Sequence, residues 1–437
     1  MKWIVLFSMM AVLGGPLMAQ DSNRQQPPAV WDLTTCLSYA KQHNITLNSL
    51  RLTSQSGEQD LELSRAARYP NLGGSVSQSL SNYASGPNSG LYPSSGYGIS
   101  SSVTLYNGGY LNNDIKQKQL TLKAANLNVL ATENDITLQI TQAYLNILLA
   151  KENIVYLQDL INTTQAQVTQ GQQRLDAGTL ARKDLLELQA VLANDNFTLV
   201  TEQNTVRQNI LTLKQILQLP TDTAFDVSLA DTAATKTLAA PLAQAQQTAL
   251  DNRPEVKSSE LGVQVAEVNI EKARAGLRPT LSLGGSLFTN YSKDPSYKYF
   301  PQLNNNFYQQ VGLTLSVPIL DRKITRTNVE KAKIQISQAQ LNLQSTKLAL
   351  TQAIEQAYLN VQNAQSQYDA AKVQLSFTEE TYRIANEQLK IGVYNTVDYL
   401  QQKNLYIQAL QAYIQAKYAT QLYTRIYNFY IGIPVTQ

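Results

Sequence analysis

Apolar positions in this chain follow two periods, and each period keeps to its own stretches. No proline occurs between Pro93 and Pro220, nor between Pro318 and Pro434. Within those tracts apolar residues recur at three- and four-residue steps. Ile136, Ile140, Tyr144, Ile147 and Leu148 share one helical face, as do Ile354, Ala357, Tyr358 and Val361. The only glycines between Gly109 and Pro220 are Gly171 and Gly178, and the only one between Pro318 and Gly432 is Gly392. Tracts so rich in Ala, Leu, Gln, Lys and Glu are strong helix material, broken once by a turn. Helices of about 60 residues are predicted, about 90 Å long at about 1.5 Å per residue. That exceeds any globular core and implies coiled-coil packing of neighbours.

Ahead of each helical tract the period falls to two. Leu72, Gly74 and Val76 alternate with polar residues, as do Ile99, Ser101, Val103 and Leu105. Further on, Leu281, Leu283 and Leu287 alternate, and then Val311, Leu313, Leu315 and Val317. Each region reads as a hairpin of two long strands around a polar loop, at 82–96 and at 290–306. Residues 69–113 carry no charge, and 279–320 carry only Lys293, Asp294 and Lys298, all in the loop. Charge excluded from strands but allowed at their tip is expected where strands face hydrocarbon and the tip faces water. The plainer reading is an exposed hairpin on a soluble coiled coil, although an uncharged, uncovered sheet invites aggregation. Four strands cannot close a barrel, and lipid tolerates no open sheet edge, so a lipid-facing chain must pool its strands with sister copies.

The alternation of periods occurs twice because the chain is duplicated. Gln142-Ala143-Tyr144-Leu145-Asn146 returns as Gln356-Ala357-Tyr358-Leu359-Asn360, and Gly178, Asp184 and Pro220 return at the same shift as Gly392, Asp398 and Pro434. The expected organisation is a first repeat over 20–220, with strands at about 70–107 and helices at about 109–219. A Thr/Ala-rich linker at 221–240 leads to a second repeat over 241–437, with strands at about 280–320 and helices at about 322–432.

The N-terminus adds a compartment. Lys2, an apolar run to Leu13 and the small-residue segment ending at Ala19 read as a secretory signal peptide over 1–19. No later stretch is long and apolar enough for a spanning helix. A net charge of +3 argues against a nucleic-acid partner. Catalysis and cofactor chemistry lack material, since His43 is the only His and Cys36 the only Cys. Without a P-loop the chain does not power transport itself.

The duplicated helix–hairpin–helix layout resembles the TolC-like outer-membrane efflux proteins. The likeness runs from the helix start at 33–40 to Ile433-Pro434, through Ala67-Arg68-Tyr69-Pro70, Gly276-Leu277-Arg278-Pro279 and the strand exits Leu105-Tyr106-Asn107-Gly108-Gly109 and Val317-Pro318-Ile319-Leu320-Asp321. It includes the turns 178–184 and 392–398. The resemblance implies a mainly α fold with transmembrane β: a homotrimer whose pooled strands form a twelve-stranded barrel in outer-membrane lipid, above a periplasmic tunnel of helices. It implies passive conduction, with a periplasmic adaptor (membrane fusion protein) docked at the helical tips and an inner-membrane pump of the RND, ABC or MFS class supplying energy. The rival reading is a periplasmic coiled-coil structural or adaptor protein without a pore.

Residue roles follow from the same likeness. Gly178 and Gly392 allow the tight turns that would form the docking tips. Asp184 and Asp398 match acidic positions lining the periplasmic aperture; near a helix start, they are equally suited to capping. The position two past the second glycine, an Arg in the best-known member, is Tyr394, and the position three past Asp398 is Gln401 instead of an acid. Arg182 and Lys183 are the cations near that aperture. Arg278, Asp321 and Arg322 bracket the second hairpin and would mark the periplasmic membrane boundary. Tyr83, Tyr97, Tyr291 and Tyr308 lie near strand ends, where an aromatic girdle or simple packing would place them.

Overall fold

Two helices of 67 residues each, α3 (Tyr110–Asp176) and α8 (Ile324–Lys390), are the long axes on which everything else is laid. Each is about 100 Å long at about 1.5 Å per residue. The computed structural model describes residues 30–84, 90–220, 222–228, 240–293 and 298–435. The expected signal peptide over 1–19, most of the linker at 221–240 and the side chain of Tyr83 lie outside these residues. In the first copy, β1 (Val30–Trp31), α1 (Leu33–His43) and α2 (Ile45–Ala66) precede β2 (Asn71–Tyr83) and β3 (Gly90–Asn107), and α4 (Arg182–Leu217) follows α3. Strand β4 (Asp226–Val227) leads on. The second copy runs through α5 (Leu242–Asn252), α6 (Pro254–Ala275), β5 (Thr280–Ser292), α7 (Tyr299–Asn305), β6 (Tyr308–Ser316), α8 and α9 (Thr396–Tyr430).

No other helix of the first copy matches the length of α3, so its partner there is built from two. Helix α2 packs on α3 near the sheet and α4 packs on it towards the far end. The two short helices abut. Gln218 ends α4 in a left-handed conformation (φ 57°), and its side-chain oxygen accepts the Ile45 N–H at 2.7 Å. That N–H belongs to the first residue of α2, which has no partner of its own within the helix. At the equivalent joint in the second copy, Gly432 (φ 92°) ends α9 and Pro254 begins α6. Proline brings no N–H to satisfy, and glycine adopts positive φ without steric penalty, so no side-chain acceptor is needed there.

The main apolar core lies at this mid-height joint. Trp31, Cys36, Leu47, Ile140, Tyr144, Leu148, Leu213 and Leu217 are buried together with Ile414 and Leu422 of α9. The parallel β1–β4 pair closes its side. The duplicate core gathers Ala245, Ala249, Val256, Leu350, Ile354, Ala357 and Tyr427. The predicted helical face (Ile136, Ile140, Tyr144, Ile147, Leu148) is thus the buried one. Away from these cores the buried seam of α8 is narrow and made of alanines, Ala332, Ala364, Ala371 and Ala385, as close helix packing requires.

At the other end the four long strands form one antiparallel sheet in the order β2-β3-β5-β6. Its register sorts the side chains by face. Leu72, Val76, Leu80, Ile99, Val103, Leu283, Leu287, Val311, Leu313 and Leu315 share one side. Ser75, Ser77, Ser79, Ser94, Ser100, Ser286, Gln310 and Thr314 share the other. A bulge between Thr104 and Tyr106 takes Leu105 out of the alternation.

Three expectations are corrected. Pairing of β2 with β3 continues to Tyr83 and Gly90, well inside the expected loop at 82–96, because backbone ladder bonds do not require apolar side chains. The second loop contains helix α7. Tyr308 pairs with Phe288 and so falls on the serine face, whereas Tyr97 and Tyr291 take the apolar face as a girdle demands.

Candidate functional site

The two helical turns far from the sheet are built alike. At the end of α3 the Gly178 N–H donates to Leu175 O at 2.9 Å and the Thr179 N–H to Arg174 O at 2.8 Å. At the end of α8 the Gly392 N–H donates to Leu389 O at 3.1 Å and the Val393 N–H to Gln388 O at 3.0 Å. These are paired C-terminal stops that need left-handed backbone at the glycine, and φ is 72° at Gly178 and 79° at Gly392. Arg174, which the sequence did not single out, fastens one turn to the other. Its guanidinium donates to Leu389 O at 3.2 Å, placing positive charge on the C-terminal carbonyls of α8. A Cβ on Gly392 would lie 3.3 Å from Arg174 Nη2, while one on Gly178 would meet nothing within 4 Å. Gly178→Ala should therefore cost about 1–2 kcal/mol, the penalty of a left-handed L-residue. Gly392→Ala should cost more, because it also displaces Arg174; comparison of the two denaturation midpoints checks the order.

The aperture candidates sit just past these turns. Arg182 is the first residue of α4 and exposed, and Lys183 pairs with Glu187 at 3.4 Å. Asp184 is half-buried in the first turn of α4. Asp398 occupies the same place in α9, but its chemistry differs. The cap there is Asn395, whose Oδ1 accepts the Asp398 N–H at 2.7 Å while its Nδ2 donates to the Asp398 carboxylate at 2.5 Å. Helix-start bonding is therefore realised at Asp398. Tyr394 is half-buried in the turn, and Gln401 is exposed on the following turn of α9.

Deeper in the helices lies a polar knot that sequence reasoning missed. Lys403 of α9 is wholly buried; its Nζ donates to Asp195 Oδ2 of α4 at 2.9 Å and to Thr164 Oγ1 of α3 at 2.7 Å. The Thr164 hydroxyl donates to the same carboxylate oxygen at 2.9 Å. One turn nearer the tip, Gln167 of α3 donates to Asn386 Oδ1 at 3.0 Å and to the Tyr399 hydroxyl. Tyr399 in turn meets the Tyr382 hydroxyl at 3.2 Å. Burial pushes the Lys403 ammonium below its usual range, against the pull of Asp195. Burial likewise raises the Tyr399 phenol. The signal was present: Lys403 interrupts the face shared by Tyr399 and Tyr406, and Asp195 continues the buried stripe of Leu185 and Leu188.

At the sheet end, Arg278 stands between α6 and β5, and its guanidinium donates to Gly108 O at 2.8 Å, tying the second copy to the β3–α3 corner of the first. Asp321 stands between β6 and α8. Its carboxylate accepts the Thr325 N–H at 2.8 Å and the Lys323 N–H at 3.1 Å, and the Thr325 side chain, then these N–H groups, hold it below the usual carboxylate range. Arg322 and Lys323 make this corner with φ of 53° and 68°. All three predicted bracket residues thus lie where strands give way to helices. Among the described residues no group of His, Cys, Asp and Glu could hold a metal, and no helix is long and apolar enough to cross a membrane.

The geometry is a sheet with one apolar and one hydroxyl-rich face, carried on long packed helices. The family model for the outer membrane efflux protein matches residues 36–218 and again 245–424, once on each copy. The chain belongs to that family. It is similar to the outer membrane efflux protein BepC of Brucella suis, at 22% identity over 395 residues, covering 88% of this chain and 82% of the relative. It is also similar to the outer membrane protein TolC of Vibrio cholerae, at 24% identity over 362 residues, covering 80% of this chain and 79% of that one. Among solved structures, the Campylobacter jejuni CmeC outer membrane channel superposes with a TM-score of 0.79 at 20% identity, over 93% of this chain and 87% of the channel. The protein is accordingly an outer-membrane efflux channel and not an enzyme, with its helices in the periplasm. Members of this family work with a periplasmic adaptor and an inner-membrane pump. The pore-less scaffold is set aside.

Proposed function

We propose that three copies of this efflux channel close a twelve-stranded barrel, and that the helical duct below it opens at an aperture ringed by Asp184 and Asp398. The observation that carries this is the sheet itself. Strands β2 and β6 are its two free edges and run antiparallel, so β6 of one copy can continue the ladder on β2 of the next. Only closure removes unpaired N–H and C=O groups from lipid. The apolar face then turns outward and the serine face lines a wet lumen, with Arg278, Asp321 and Arg322 at the periplasmic boundary. The turns at Gly178 and Gly392 are the docking tips for the periplasmic adaptor, which links the channel to an inner-membrane pump.

Three copies set six carboxylates near the axis, enough to favour cations. Reconstitution in planar bilayers tests the assembly and the ring together. The wild-type channel should conduct with cation preference, and Asp184→Ala with Asp398→Ala should abolish most of that preference while conduction persists. Unchanged selectivity would reduce both acids to helix-start roles.

A further inference from the structure

Helix α7 is folded back onto the apolar face of the sheet. The Tyr299 hydroxyl meets the Tyr97 hydroxyl at 2.6 Å, the Tyr291 and Tyr299 rings lie 4.7 Å apart, and the Thr289 hydroxyl donates to Leu303 O at 2.5 Å. Tyr97, Thr289 and Tyr291 all share the face of Ile99 and Leu287. Both ends of the segment are tied down as well, by Ser292 N–H to Gln302 Oε1 at 2.7 Å and by Asn306 Nδ2 to Asn290 O at 2.9 Å.

The height of this seat follows from the strand. Thr289 is nine residues along β5 from Thr280. That is about 30 Å at about 3.3 Å per residue, or about 23 Å along the axis at a strand tilt of about 40°. An outward apolar band is about 25 Å tall. Helix α7 is therefore held at the outer rim of the hydrocarbon, on the lipid side of the wall. Tyr299 is turned to the sheet; the ring of Phe300, edge-on to it at 5.4 Å, is turned away and is 79% exposed. The helix carries no charge, and Lys298, exposed, stands immediately before it.

We propose that α7 is an interfacial helix whose partner is the outer leaflet of the membrane, with Phe300 entering the boundary between acyl chains and headgroups and Lys298 reaching the headgroups. Aromatic rings concentrate at that boundary, and a lysine stem spans it with its charge in water. The inference rests on the apolar face being the lipid face, and it adds to that reading an anchoring element outside the barrel wall.

Site-directed spin labelling separates the two. Cys36 is fully buried and its thiol is pushed up to about 12, chiefly by burial, so an introduced cysteine takes the label selectively. The full-length chain bearing Phe300→Cys, Val311→Cys or Gln310→Cys is reconstituted in vesicles of outer-membrane lipid. Collisions of each label are measured with oxygen, which partitions into lipid, and with a water-soluble nickel chelate. For Phe300→Cys the oxygen-to-nickel ratio should rise above that of the lumenal Gln310→Cys and stay below that of the deep Val311→Cys. A Phe300→Cys ratio equal to that of Gln310→Cys, with Val311→Cys still in lipid, overturns the interfacial helix alone. A water-like ratio at Val311→Cys overturns the lipid face and the helix with it.

Discussion

Replacing Lys403 by Ala is expected to destabilise the folded chain by about 3–5 kcal/mol, the range for removing one partner from a buried ion pair. The substitution leaves the Asp195 carboxylate buried, at 7% side-chain exposure, with only the Thr164 hydroxyl to stabilise it. Asp195→Asn should cost less. It leaves the ammonium, which burial already pushes towards the neutral amine, with the Thr164 hydroxyl and the new amide oxygen as acceptors. The double variant Lys403→Met with Asp195→Leu should recover most of the loss, because apolar side chains of similar volume replace a buried pair at little net cost. Denaturant midpoints in detergent, for the two single variants and the double, give the comparison. A loss below about 1 kcal/mol for Lys403→Ala would be that of an exposed pair and would mean that water reaches the knot.

The consequence of that knot is mechanical. Thr164 and Asp195 belong to the first copy and Lys403 to the second, so the three groups hold the α3–α4 hairpin to the α8–α9 hairpin near the tips. Most other pairing at this level is within a copy, α3 with α4 and α8 with α9. Gln167 with Asn386 and with the Tyr399 hydroxyl, and Arg174 with Leu389 O, add three further cross-copy bonds. Widening of the proposed aperture would have to part or carry these contacts together.

What the chain made legible was whatever periodicity and punctuation encode. Proline-free tracts marked α3 and α8, glycines marked the turns, and alternation marked the strands and their apolar face. The landmarks at Gln142–Asn146 and Gln356–Asn360 exposed the duplication, which the family match repeats. Contacts between copies left no such trace. Thr164 and Lys403 are 239 positions apart, and nothing local at either says that they meet. Helix α7 was hidden for a different reason: seven residues containing Pro301 and two asparagines, with a third asparagine as the cap, read as a loop. It is the sheet face beneath Tyr299 and Leu303 that fixes the helix. Asp184 and Asp398 match in sequence, yet only Asp398 is bonded by a side-chain cap, because Asn395 has no counterpart at Ala181.

Val311→Arg is expected to abolish the membrane-assembled oligomer, whereas Gln310→Arg, one residue earlier, should leave it intact. Val311 is 81% exposed on the apolar face of β6 and pairs across to Gly285. It is five residues from the strand end at Ser316, about 13 Å up the axis by the rise and tilt used for β5, which is close to the middle of the hydrocarbon. An arginine on the lipid face costs about 2–4 kcal/mol at that depth, and three copies would bring the total to about 6–12 kcal/mol. Because β6 is also a free edge, the penalty falls on the strand proposed to pair with β2 of the next copy, so failure should appear as monomer and not as a weakened pore. Gln310 belongs to the serine face, where an arginine keeps its water; there the change should shift conduction towards anions without loss of assembly. Heat-modifiable bands from the membrane fraction read assembly, and bilayer recordings read selectivity. Equal assembly of the two variants would mean that this face does not meet lipid.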